Sequence, residues 1–186
     1  MQNLSPPKRE KVNWLERTEL LVKEEGIQKL QNARVLIVGL GGVGGSAAEF
    51  ITRAGIGNLT IVDGDVVSIT NINRQLPALH STIGKPKTEV VAERLLDINP
   101  ALNLTVINEF LSPERAWDIV TPDYDYVIDC IDSITPKLNL ILSSKRKHVK
   151  IVSCMGAGGA TDVSQIKVVD LMKTYNCPLA KFIRKR

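Results

Sequence analysis

A glycine-rich turn between an apolar segment and a helix constrains the fold of this chain more than any other feature. The turn is Gly39-Leu40-Gly41-Gly42-Val43-Gly44, and it follows Arg34–Gly39, a β-branched run typical of a strand buried on both faces. Residues 46–51 then predict a helix, and residues 59–63 predict a second buried strand that ends in an acid. This order predicts a βαβ unit with a ligand site at its turn.

The residue types in this turn favour a phosphate ligand. Four positions lack a side chain, which lets the backbone approach an anion closely, and the following helix start supplies free N–H groups. These positions are Gly39, Gly41, Gly42 and Gly44. Asp63 lies 19 residues beyond Gly44, where a carboxylate can accept hydrogen bonds from ribose hydroxyls. We therefore predict an adenine-nucleotide site, with a purely structural turn as the alternative.

The rest of the chain continues the alternation of strands and helices. Strands are predicted over 104–107, 126–130, 150–154 and 165–169, and helices over 13–31, 87–98 and 135–148, with a short one opened by Ser112-Pro113. We predict an α/β fold, namely a Rossmann-like, doubly wound, mostly parallel sheet with helices on both faces. Residues 1–33 are expected to form an N-terminal helical segment and residues 34–186 the nucleotide-binding domain.

The segment after Asp63 indicates which chemistry the nucleotide undergoes. It is a long polar loop, and it is followed by Gly84-Lys85-Pro86-Lys87 and, after a later strand, by Asp129-Cys130-Ile131-Asp132. The polar residues of interest in the loop are Asp65, Asn71, Arg74 and Gln75. Cleavage of a triphosphate requires fixed cations and a carboxylate that holds magnesium, whereas hydride transfer needs few cations. ATP with Mg²⁺ is therefore favoured over a nicotinamide cofactor.

Composition limits the remaining classes of function. The formal charge is +4, which permits an RNA partner, and the cations cluster in 145–150 and 181–186, as solvated helix ends or as a phosphate-binding face. The start of the chain lacks the apolar core of a signal peptide, and no apolar run is long enough for a membrane span. We expect a cytoplasmic protein.

The three cysteines are too sparse for a disulfide framework or a four-thiolate zinc site. No Cys-x-x-Cys pair occurs. Cys130 and Cys154 end apolar runs, so we expect both to be buried structural residues. Cys177 is interpreted as structural, with a nucleophilic role as the less favoured alternative, because no activating base stands near it in sequence.

These motifs together resemble the superfamily of ubiquitin-activating enzymes and their bacterial adenylyltransferase relatives. The resemblance rests on the glycine turn, Asp63-Gly64-Asp65, Asn71–Gln75, Gly84–Lys87 and Asp129–Ser133. It implies a homodimeric or pseudodimeric Rossmann-like domain that adenylates a carboxylate with Mg-ATP.

The resemblance also implies roles for individual residues. The glycine turn would hold the ATP phosphates, Asp63 the ribose, and Asp132 the magnesium ion. Asn71, Arg74 and Lys87 would contact the phosphates and stabilise the departing pyrophosphate. Arg17 would reach the ATP of a neighbouring subunit. Asp65 and Gln75 occupy motif positions without a specified role, and Asp129 would either fix local structure or touch the metal.

Within that superfamily the chain resembles the tRNA threonylcarbamoyladenosine dehydratases most. The similar segments are Asp132–Lys137, Ser153–Ala160 and Asp170–Thr174. This resemblance implies adenylation of the threonyl carboxylate on the modified adenosine at tRNA position 37, followed by ring closure. It also implies that the family's domain continues beyond the region matching Arg186.

Two other functions stay open at this point. One is an adenylyltransferase of a ubiquitin-like sulfur-carrier protein, with that protein or a cysteine desulfurase system as partner. The other is a non-catalytic nucleotide-binding or dimerisation domain. A nicotinamide dehydrogenase is a more distant alternative.

Overall fold

The fold is a five-stranded parallel sheet with helices on both faces. It was obtained as a computed structural model that describes residues 13–186. The strands are β1 (Arg34–Val38), β2 (Asn58–Val62), β3 (Asn103–Ile107), β4 (Tyr126–Asp129) and β5 (Lys150–Ser153). The helices are α1 (Glu16–Asn32), α2 (Gly42–Ala54), α3 (Lys87–Ile98), α4 (Pro113–Ile119), α5 (Ile134–Arg146) and α6 (Pro178–Arg184). The predicted α/β class and the parallel sheet are confirmed, whereas residues 1–12 of the predicted N-terminal segment lie outside the described residues.

The order of the strands places a ligand crevice next to β1. The sheet reads β3-β2-β1-β4-β5, and every neighbouring pair is parallel. The chain therefore winds outward from β1 through β2 to β3, then crosses to the other side of β1 to form β4 and β5. In doubly wound sheets the ligand lies at the carboxyl ends of the strands where this reversal occurs. The glycine turn follows β1 at that point.

The two faces of the sheet carry two separate cores. On one face Val35 and Ile37 pack with side chains of α2 and α3, such as Ala48 and Val91. On the other face Leu36 and Val38 pack with the α4–α5 side, represented by Leu140 of α5. Successive residues of a strand point to opposite faces, so a continuously apolar strand fills both cores.

Two local predictions agree closely with the structure, and one is wrong. Helix α3 has the predicted bounds, and the Ser112 hydroxyl caps α4 by accepting from the Arg115 N–H at 3.1 Å. The predicted strand over 165–169 is absent from the described chain. Only a short 3₁₀ turn, Val163–Gln165, forms there. Val168 is 94% exposed, so this β-branched run buries no apolar face, and it does not join the open edge of β5, the last strand of the sheet.

Most of the 145–150 cluster serves local packing at the amino edge of the sheet, the edge opposite the glycine turn. The Lys147 ammonium donates to the carbonyls of Trp117 and Val120 at the end of α4. Arg146 stacks on the Trp117 ring, and Lys150 on the ring of Tyr126. These contacts agree with the simpler of the two interpretations, in which the cluster is a helix end. Within residues 13–186, no helix combines the length and apolarity that a bilayer crossing requires.

Candidate functional site

Two glycines make the turn after β1 possible. Gly39 has φ +91°, which side chains disfavour, and its N–H donates to the Val62 carbonyl at 2.8 Å. A Cβ on Gly44 would lie 1.7 Å from the Gly39 carbonyl oxygen and 3.1 Å from the Cβ of Cys130. The first turn of α2 therefore sits directly on the end of β1, which brings its backbone N–H groups to the carboxyl edge of the sheet.

We predict that Gly44→Ala destabilises the protein and weakens nucleotide binding, because the new methyl group overlaps the backbone. The helix start must move, at a cost of about 1–3 kcal/mol or more. Gly158→Ala is the matched control, since a Cβ there meets nothing within 4 Å. Thermal unfolding and calorimetric titration with ATP measure the two effects. Equal unfolding temperatures for the two variants would show that the turn tolerates a side chain.

The polar loop folds back onto the glycine turn. A Cβ on Gly42 would lie 3.0 Å from the Arg74 carbonyl oxygen, and one on Gly41 would lie 3.6 Å from Nε2 of Gln75. The carboxamide oxygen of Gln75 is buried, and the structure offers it no hydrogen-bond partner among residues 13–186. A buried polar atom without a partner beside a glycine turn fits a group that contacts a ligand.

The two acids after β2 have different structural roles. The Asp63 carboxylate accepts from the Leu40 N–H at 2.6 Å and from the Asp65 N–H at 2.7 Å, so it braces the glycine turn. Asp65 pairs with Lys87 at 2.7 Å, between an exposed carboxylate and a lysine side chain that is only 6% exposed. The sequence suggested neither contact. The ribose role of Asp63 and the phosphate role of Lys87 stay predictions.

Arg74 is held beside the turn by its own loop. Its Nη1 donates to the Thr70 carbonyl at 2.9 Å and to the Asn73 carboxamide at 3.0 Å, and its side chain is exposed. Asn71 caps the short turn before it by accepting from the Ser68 N–H at 3.1 Å. Arg74 keeps further N–H donors for an anion, because a guanidinium has five.

The structure separates the two acids that follow β4. Asp129 is fully buried and forms a 2.7 Å ion pair with Lys137 of α5, which is also fully buried. The Lys137 ammonium donates further to Ser153 Oγ at 3.2 Å and to the Cys154 carbonyl at 2.9 Å. Asp129 thus fixes local structure, the first of its two predicted roles.

Asp132 is exposed, and it follows the Cys130–Ile131 backbone that packs against Gly39. An exposed carboxylate oxygen at this edge is a ligand that Mg²⁺ accepts, and phosphate oxygens and water would complete its shell. Across residues 13–186 no cluster of three metal-binding side chains exists.

Sequence reasoning missed Lys137. Lys137 lies in one of the segments similar to the dehydratases, and a lysine side chain in a helix favours an exposed position. The one available signal was the spacing Asp129–Lys137, which places a helix residue near the end of the preceding strand but does not specify which side chain it contacts.

Arg17 is not brought to the glycine turn of its own chain. It is exposed on the first turn of α1, and the nearby Leu15 packs against Gly55, just beyond the far end of α2. A 13-residue helix spans about 20 Å, which separates the two places. The predicted contact of Arg17 with a neighbouring subunit's nucleotide stays a prediction.

The cysteines differ from expectation in burial and arrangement. Cys130 and Cys154 are partly exposed rather than buried, because each lies one residue beyond the end of its strand. They are neighbours, and the hydrogen bond from Cys130 lowers the pKa of Cys154 to about 7. Cys177 caps α6, since its sulfur accepts from the Ala180 N–H at 3.4 Å.

Fold and site together define an α/β protein of the doubly wound class, with a glycine turn at the carboxyl end of β1, where the strand order reverses. The chain belongs to the ThiF family, whose model matches residues 15–186. This confirms the superfamily inferred from the motifs.

Individual relatives within this family narrow the comparison to one group of enzymes. The chain is 44% identical over 164 residues to a tRNA threonylcarbamoyladenosine dehydratase of Haemophilus influenzae, covering 88% of this chain and 63% of the relative. It is 43% identical over 176 residues to the Escherichia coli dehydratase, covering 93% and 66%. The E. coli enzyme solved in complex with ATP superposes with a TM-score of 0.89 at 44% identity, over 91% of this chain and 70% of that one. The chain thus spans just under two thirds of the length of the two curated relatives.

Proposed function

We propose that this chain binds Mg-ATP and adenylates a carboxylate, and that its substrate is the threonylcarbamoyladenosine of tRNA. The observation that supports the proposal is the approach of the Arg74 carbonyl and the Gln75 carboxamide to the glycine turn, in a loop that also carries the exposed guanidinium of Arg74. Similarity to the dehydratases, one of them solved with ATP, supports the choice of nucleotide and of substrate.

The glycine turn, Arg74 and Lys87 would each have a separate role in adenylation. The carboxylate oxygen attacks the α-phosphorus of ATP, the bond to pyrophosphate breaks, and negative charge grows on the leaving group. The N–H groups at the start of α2 and the guanidinium of Arg74 would stabilise this charge. Lys87 keeps two ammonium donors beyond the one given to Asp65, and these would bind the same anion.

Mg²⁺ would be held by Asp132 and would neutralise phosphate charge when bound. Gln75 would hydrogen-bond the nucleotide through its buried carboxamide, and Asn71 would act by holding the loop that carries Arg74. Asp63 would contact the ribose while bracing the turn. Residues 34–186 would form the adenylation domain. Helix α1 would carry Arg17 to the nucleotide of the partner subunit.

We further propose a homodimer in which Arg17 reaches the partner's nucleotide. Val43 and Phe50 of α2 are seven residues apart on one face of the helix and are 54% and 69% exposed. Val152 of β5, 42% exposed, points to the same side of the sheet as α2, because the next residue, Ser153, points toward α5. We refer to these three exposed apolar side chains, Val43, Phe50 and Val152, as the patch, and they fit an interface between two copies.

Phe50→Glu tests the patch. The charge cannot be buried cheaply, so we expect the dimer to dissociate and the mass measured by light scattering to halve. Phe182→Glu on α6, where the ring is 56% exposed, is the matched control and should leave the mass unchanged. A dimer that survives Phe50→Glu would place the interface elsewhere.

The function itself is tested by ATP–pyrophosphate exchange with Mg²⁺, with and without tRNA that carries threonylcarbamoyladenosine. Exchange or AMP release that depends on this tRNA is the expected result. AMP transfer to a sulfur-carrier protein ending in Gly-Gly, with the tRNA inert, would instead indicate the adenylyltransferase and its desulfurase partners. Nucleotide binding without exchange on any carboxylate would indicate a non-catalytic domain. A cytoplasmic location, where tRNA substrates are found, is part of the same proposal.

A further inference from the structure

Two thiols that the adenylation chemistry does not use meet at the edge of the glycine turn. In the register of β4 and β5, Asp129 lies opposite Ser153, so the next residues, Cys130 and Cys154, form the next pair. The parallel ladder continues through them, because the Cys154 N–H donates to the Asp129 carbonyl at 2.8 Å and the Cys130 N–H to Val38 at the same distance.

The pleat turns both thiols to one side of the sheet. Asp129 and Ser153 point toward α5, since both contact the ammonium of Lys137. Cys130 and Cys154 therefore point to the opposite face, where the Cβ of Cys130 packs against Gly44 at the start of α2. Neither thiol is fully buried, so small oxidants reach them.

The spacing of the two cysteines suits a covalent bond. Neighbouring parallel strands lie about 4.7–4.9 Å apart, which falls within the Cα separations of about 4.4–6.8 Å found across disulfides. Both residues stand just beyond the regular strands, where the backbone can adjust. We propose that Cys130 and Cys154 form a redox modification site, a dithiol that a hydroperoxide converts into a reversible intrachain disulfide at the base of the glycine turn.

The reaction balances with the hydroperoxide as the only oxidant. The sulfur of Cys154, the thiol with its pKa near 7, attacks a peroxide oxygen, so an S–O bond forms and the O–O bond breaks; water leaves from hydrogen peroxide, or an alcohol from an organic hydroperoxide. The sulfur of Cys130 then attacks that of Cys154, the S–S bond forms, and the hydroxyl leaves as a second water with the Cys130 proton. A dithiol reductant restores both thiols. The proposal does not depend on the proposed function.

Peptide mapping by mass spectrometry tests the site in the folded wild-type protein. After hydrogen peroxide and alkylation, we expect the protein to lose two hydrogen atoms and to yield one linked pair of peptides carrying Cys130 and Cys154. Dithiothreitol should restore three alkylatable thiols. Three alkylated cysteines after peroxide, or a linkage that involves Cys177, would overturn the proposal.

Cysteine variants show which of the two thiols reacts first with the peroxide. Cys177→Ser is the matched control and should still form the link. Cys130→Ser should instead accumulate a sulfenic acid on Cys154 that dimedone traps, with little labelling in Cys154→Ser. Dimedone labelling on Cys130 alone would reverse the assigned attacking thiol and contradict the proposed step. Circular dichroism establishes that each variant is folded. The peptide map of the wild-type protein tests the disulfide even if a variant does not fold.

Discussion

Lys137→Met is expected to lower the free energy of unfolding by about 3–5 kcal/mol. The substitution removes the cation but leaves the Asp129 carboxylate, which is fully buried and now lacks its partner. It also removes the two further bonds of the ammonium to Ser153 and Cys154, which tie α5 to the end of β5. Urea denaturation followed by circular dichroism measures the change.

The matched control is Lys29→Met, which breaks an ion pair of the same 2.7 Å length on the surface of α1. Lys29 and Glu25 are 75% and 80% exposed, so water screens them and the stability should stay within error of the wild type. The double variant Asp129→Leu/Lys137→Met should recover part of the loss, because no charge is left buried. Equal stability of Lys137→Met and Lys29→Met would mean that Asp129 is not charged and buried as described.

Arg74→Ala is expected to reduce turnover about a hundredfold or more in the tRNA-dependent release of AMP. An electrostatic contact aimed at charge that develops in the transition state is worth roughly 2.7–4 kcal/mol. Arg74 is exposed and bonded only within its own loop, so its removal should leave the unfolding temperature nearly unchanged. The loss should therefore appear in turnover and not in stability.

Arg53→Ala is the control for Arg74→Ala. Arg53 lies in the last turn of α2, at the opposite end of the helix from the glycine turn, and pairs with Glu49. Its loss should change turnover little. Near-normal turnover of Arg74→Ala would contradict the role assigned to that residue. It would also remove the main argument for a site that cleaves a triphosphate.

The local chemistry of the chain was enough to predict the βαβ unit and the parallel sheet. Apolar β-branched runs, a glycine turn and a serine followed by proline act over a few residues, so their structural effects are readable in sequence. The prediction of a strand over 165–169 failed because a strand depends on a partner that is distant in sequence. A strand needs a neighbour with which to exchange hydrogen bonds, and residues 165–169 do not join the open edge of β5.

The positions of the glycine turn, Arg74 and Asp132 at one edge of the sheet were likewise determined by sequence, because parallel strands bring their carboxyl ends together. Only the tertiary structure decided that Asp63 braces the turn, that Lys87 pairs with Asp65, that Lys137 is buried against Asp129, and that Cys130 meets Cys154. Each of these contacts joins residues between 8 and 24 positions apart or on different elements. Their partners are chosen by strand register and helix packing, which no local pattern of residues specifies.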